Sequence, residues 1–166
     1  MKLLLTIIIS ISLSFASEVT PFKAKSDYIM DYTKKTKCLV RNLDIYKNPK
    51  WAVKITLKNG KKIFFSSPKS MFEFYHRPGK WFDIGVKSEA DFKDIIVTDY
   101  QTMKLINARK AFYIYGSRAI SSAGDDLVAI EKEDDAREFA KKYSGKRVFR
   151  FEQVSDALIK LINGRI

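Results

Sequence analysis

The chain has 166 residues, with 31 Lys and Arg against 19 Asp and Glu, one His and one Cys, for a formal net charge of +12. That length holds one domain or two very small ones, with enough hydrophobic residues (46%) to bury a core. A lone cysteine excludes an internal disulfide framework and a cysteine-only zinc knuckle, and a lone histidine excludes poly-histidine metal cages and most histidine-based triads.

Lys2, the apolar run from Leu3 to Phe15 and the small residues Ser14 and Ala16 form a secretory signal peptide over 1–16, cut after Ala16. The run is shorter than the ~20 residues a membrane span needs. The first cysteine, Cys38, lies far beyond the cut, so a lipid-modified terminus lacks its acceptor. The expected location is therefore periplasmic. Export argues against a nucleic-acid partner, which the charge alone would suggest, and redirects the basic surface toward an acidic partner protein or the membrane surface.

Residues 17–37 form a polar, Lys-rich lead-in in which Tyr28, Ile29 and Tyr32 can pack locally, and the body runs over 38–166. Trp51 to Leu57 alternates with a period of two, Asn59-Gly60 is a strong hairpin signal, and Lys61 to Phe65 resumes the alternation. Ser67 before Pro68 reads as an N-cap with proline in the first turn, opening a helix with Met71, Phe72, Phe74 and Tyr75 on its apolar face, stopped by Pro78. Asp94 to Thr98 is a buried strand. The same order then repeats: a strand over Ala111–Tyr115, its partner over Asp126–Ile130, a helix over Glu131–Tyr143 ended by Gly145, and a strand over Arg147–Phe151. Ser155 caps a short last helix through Ile162. The expected class is α+β, with two tandem ββαβ-type halves, about 38–108 and 109–166, packed together because neither can bury its own sheet face.

Chemical motifs are sparse. There is no Gly-rich phosphate loop, no Gly-x-Ser-x-Gly elbow and no His-Glu-x-x-His helix. His76, at a helix end before Arg77-Pro78, reads as a cation on the helix dipole ahead of a catalytic base. The acids Glu131, Glu133, Asp134 and Asp135 occupy a helix start, where they complement the dipole. What remains is soft-donor chemistry suited to Cu(I): Cys38 with Met30, Met71, Met103 and the borderline donor His76.

Tyr46 to Trp51, Phe64-Phe65 followed by Pro68-Lys69-Ser70-Met71-Phe72, Val97-Thr98-Asp99-Tyr100-Gln101-Thr102, Ile106-Asn107-Ala108 and Ala111-Phe112-Tyr113 come in an order and spacing that resemble the NosL family. Gly116-Ser117 and Phe149-Arg150-Phe151 extend the likeness over about residues 38–160. The resemblance implies two related ββαβ-type halves, export, and a role in copper supply to nitrous oxide reductase, hence to denitrification. It also implies a fold like that of organomercurial lyase, but that enzyme's chemistry uses two cysteines with an aspartate, so no enzymatic activity is expected from a chain with one. Family members usually carry Cys-x-x-Cys-Gly-Met before the Pro-x-Trp segment. Here Cys38 keeps the first cysteine, while Arg41, Asn42 and Leu43 stand at the second cysteine, the glycine and the methionine. The family's Pro-Met-Gly is here Ser122-Ala123-Gly124, and its Ile-Asp-Ala aspartate is Asn107. The resemblance thus leaves Cys38 and Met71 as metal ligands, with Met103 and His76 as weaker candidates. Asp99 matches a family position as either a turn acceptor or a ligand. Two functions follow: Cu(I) handling with a protein partner in copper-site assembly, anchored on Cys38, or an interaction module that has lost the metal. Arg41 favours the second, because a guanidinium repels a cation, but the likeness over nearly the whole mature chain keeps copper handling first.

Overall fold

The computed structural model describes residues 27–165, so the signal peptide read over 1–16 and the start of the lead-in lie outside the described residues. The architecture is α+β. Strand β1 (Val53–Leu57) pairs antiparallel with β2 (Lys62–Phe65) on one side and with β3 (Phe92–Thr98) on the other, and β4 (Leu105–Asn107) closes the sheet in the order β2-β1-β3-β4. The second sheet holds β5 (Phe112–Ser121), β6 (Gly124–Ile130) and β7 (Arg147–Arg150) in the order β6-β5-β7. Both halves therefore place their first strand between the second and third, with a helix crossing from second to third: α1 (Pro68–His76) and α2 (Glu133–Lys142). A third helix, α3 (Asp156–Ile162), packs on α1.

Local chemistry explains most of these elements. Gly60 adopts φ 87° in the turn between β1 and β2, a conformation open to glycine at no steric cost, and its N–H reaches Leu57 O at 2.9 Å. Ser67 caps α1 by accepting the Ser70 amide, with Pro68 in the first turn. Helix α2 begins at Glu133, with Glu133, Asp134 and Asp135 in its first turn. Its stop differs from expectation: the left-handed residue is Ser144, at φ 58°, while Gly145 is needed for space. A Cβ on Gly145 would sit 2.6 Å from Ile114 Cγ2 and 3.0 Å from Ala140 Cα.

Helix α1 makes the two halves one body. It packs on β1 and β2 of its own half, on β6 of the other, and on α3. Phe74 meets Phe65, at 5.5 Å between ring centroids, and Phe92. Phe72 turns the other way, onto Tyr113 at 5.0 Å and Phe151 at 4.9 Å. The lead-in also joins the fold: Met30 is 3% exposed, and Asp31 bonds Lys54 at 2.9 Å and also Lys62. Its structure begins before Cys38 because Tyr28, Met30 and Tyr32 cover apolar surface that the first sheet alone leaves open. A smaller cluster under α2 joins Trp51, Ile114, Val128, Ile130 and Phe139. Among the described residues no helix is long and apolar enough to cross a membrane.

Candidate functional site

Cys38 opens a tight loop. Its N–H reaches Leu43 O at 2.8 Å, and the Asn42 N–H returns to Cys38 O at 2.9 Å. Asn42 closes the loop with φ 55°, the left-handed region that asparagine enters more readily than most residues, so the backbone keeps the turn a glycine would make at that place. The Leu39 amide bonds Phe64 O at 3.0 Å and ties the loop to β2. Cys38 is 2% exposed, unpaired, and its Sγ accepts the Arg41 amide at 3.4 Å.

The Arg41 side chain leaves the sulfur and crosses to α1. One of its terminal nitrogens donates to Glu73 Oε2 at 2.8 Å and to Asn163 Oδ1 at 2.6 Å. Asn163 Nδ2 donates to the same Glu73 oxygen at 3.0 Å, and Arg165 takes Oε1 at 2.6 Å. Burial works against the Glu73 charge, but the Arg165 bond and the nearby Arg41 charge outweigh it and hold the carboxyl below its ordinary range. Lys69, one helical turn before Glu73, sends its ammonium to Ala123 O at 2.9 Å. These groups surround a pocket of about 510 Å³ whose lining includes Arg41, Leu43, Lys69, Ala123, Asp125 and Asn163. Three residues singled out in the sequence as substitutions in the family motif, Arg41, Leu43 and Ala123, thus converge on one pocket, and none carries a sulfur.

The other sequence candidates scatter. Met71 is fully buried. It lies two residues from both Lys69 and Glu73, about 200° around the helix, so it faces away from the side of α1 that meets Arg41. Met103 sits in the turn between β3 and β4 with φ 63°. The Cys38 loop is bonded to β2, which is separated from β3 by β1, so Met103 is at least two strand spacings away, about 10 Å. His76 ends α1, and its Nε2–H donates to Val154 O at 2.8 Å while the ring stacks on Phe72. It lines a different pocket, with Tyr75, Glu89 and Arg109. Asp99, 2% exposed, accepts the amides of Gln101 at 3.0 Å and Thr102 at 2.8 Å on one oxygen, and the Glu131 amide at 2.7 Å on the other. Among the described residues no group of three or more His, Cys, Asp or Glu could hold a metal ion.

Lys69, Glu73 and Asn163 escape a sequence reading focused on soft donors. Glu73 did carry a signal, as a lone acid inside Met71-Phe72-Glu73-Phe74-Tyr75, where a buried charge needs a partner. That partner, Arg41, is too distant in the chain to be read from periodicity.

A duplicated ββαβ body with a single-cysteine loop against its central helix defines the class of protein. The chain belongs to the NosL family, whose model matches residues 29–159. Its structure is similar to that of the copper chaperone NosL from Shewanella denitrificans, with a TM-score of 0.63 and 22% identity over 75% of this chain and 93% of that one. At that identity the likeness is one of fold. No curated protein matches the chain.

Proposed function

We propose that this chain is an exported, non-enzymatic accessory protein that handles Cu(I) for assembly of nitrous oxide reductase or a related copper enzyme. The observation that carries the reading is Cys38, a free thiol at the head of a tight loop in a NosL-family fold. A thiolate is a polarisable donor suited to Cu(I). Cys38 and Met71 are buried in the same apolar cluster, so the ion's second donor is Met71 or a group of the partner protein, and a ligand set shared with a partner favours transfer. The basic surface and the signal peptide at 1–16 support an acidic partner in the periplasm, or contact with the membrane surface.

The test is uptake by residues 17–166 with Cys38 reduced. From chelator-buffered Cu(I), about one equivalent is expected, and Cys38→Ser abolishes it. Uptake unchanged by Cys38→Ser, or absent in the parent, overturns the assignment. One observation favours a second reading: Arg41, Leu43 and Ala123 bring no soft donor to the pocket beside the loop. In that reading the chain is an interaction module without metal, and its partner's binding weakens steeply with salt.

A further inference from the structure

Lys69 is 3% exposed, yet among the described residues its ammonium makes no ion pair; its side-chain partner is the Ala123 carbonyl. The carboxylate whose charge acts most on it, Asp126, is occupied elsewhere: one oxygen accepts the amides of Lys69 and Leu127, and the other accepts Ser121 Oγ. Glu73 is likewise consumed by Arg41, Arg165 and Asn163. On the neighbouring wall, Arg41 Nε is buried with no hydrogen-bond partner. A buried ammonium without a counter-ion and a buried guanidinium N–H without an acceptor are both costly, and both residues line the same pocket.

We propose that this pocket binds a single carboxylate, which accepts hydrogen bonds from the Lys69 ammonium and the unused edge of Arg41. The pocket's walls come from the Cys38 loop, the β5–β6 turn and the turn after α3, so the site depends on the fold and on no single segment. A monoanion suits it better than a phosphate dianion, because Glu73 and Asp126 already place negative charge behind the cations and Asp125 stands at the rim. Burial holds the Lys69 pKa below its ordinary value, and a bound anion beside the ammonium offsets that desolvation. The inference is independent of whether Cys38 takes copper.

The carboxylate is either a free small acid or an Asp or Glu side chain of a partner. The experiment titrates propionate, inorganic phosphate and a short acidic peptide into residues 17–166 at constant ionic strength, following backbone amide resonances. Propionate or the peptide is expected to shift Gly124, Asp125, Asn163 and Gly164 saturably, with phosphate weaker. Propionate saturation identifies a small-acid site, and saturation by the peptide alone identifies a partner's side chain. Lys69→Met is expected to weaken binding about tenfold, the scale of one lost charge-assisted bond. Arg41→Lys, which keeps a cation for Glu73 but removes Nε, should weaken it about threefold and serves if Lys69→Met does not fold. The proposal is overturned by non-saturable shifts, by shifts confined to other faces, by tighter phosphate binding, or by variants that bind like the parent.

Discussion

Replacing Asp99 by asparagine changes one oxygen into an NH2 group and leaves the side chain's shape intact. In the parent, the carboxylate accepts three backbone amides, two from the turn after β3 and one from Glu131 at the end of β6. It therefore joins the first sheet to the second, beside the Tyr100 amide, which bonds Ala129 O at 2.9 Å. In its better orientation an asparagine keeps the Gln101 and Thr102 bonds through its one oxygen and turns its NH2 toward the Glu131 N–H, donor against donor. Flipping the amide satisfies Glu131 and strands the other two. A lost bond to a charged acceptor costs about 1.5–3 kcal/mol, and the two remaining bonds weaken as their acceptor becomes neutral. Release of the buried charge returns part of this, so the expected loss is about 2–3 kcal/mol. For a chain of this size that lowers Tm by roughly 4–12 °C. Urea unfolding followed by tryptophan fluorescence measures it, because Trp51 meets Tyr100 edge to face at 5.0 Å between ring centroids, next to the turn. A loss below about 0.5 kcal/mol, the range of ordinary surface substitutions, refutes the bridging role. Copper uptake by the folded variant should equal the parent's; its loss would make Asp99 a ligand.

Two further outcomes follow from packing and charge. Gly145→Ala drives a methyl into Ile114 and the α2 backbone, so thermal unfolding should report a loss of about 1–3 kcal/mol, and a neutral result would mean the turn yields freely. Burial raises the Asp31 pKa, but the bonds from Lys62 and Lys54 outweigh that and bring it down to about 2. Its contribution is thus fully present above pH ~3.8, the unfolded value, and is lost as pH falls from there toward 2. With the carboxylate 30% exposed, solvent screening limits this to about 1 kcal/mol. Asp31→Asn should be less stable than the parent at pH 6, with the gap closing by pH 2; a constant gap over that range would contradict the pairing.

Most elements are legible because their causes are local. Asn59-Gly60 makes its turn, Ser67 with Pro68 starts α1, and Ser155 caps α3 by accepting the Leu158 amide, each within four residues of chain. The duplicated ββαβ order follows from the same periodicities read twice. The three-residue β4 was too short to show a period, and β5 runs on to Ser121, through Gly116 and Ser117, past the stretch where alternation marked it. For function, the sequence by itself determined that one thiol survives in the chain and that sulfur is missing from three places in the family motif. Only the tertiary structure decided that Arg41, Leu43 and Ala123 share a pocket, that Lys69 and Glu73 face them, and that Met71 looks the other way. Soft-donor identity is written residue by residue. Which donors meet depends on how a loop, a hairpin turn and a helix face close on one another, and that is set by the packing of the whole core.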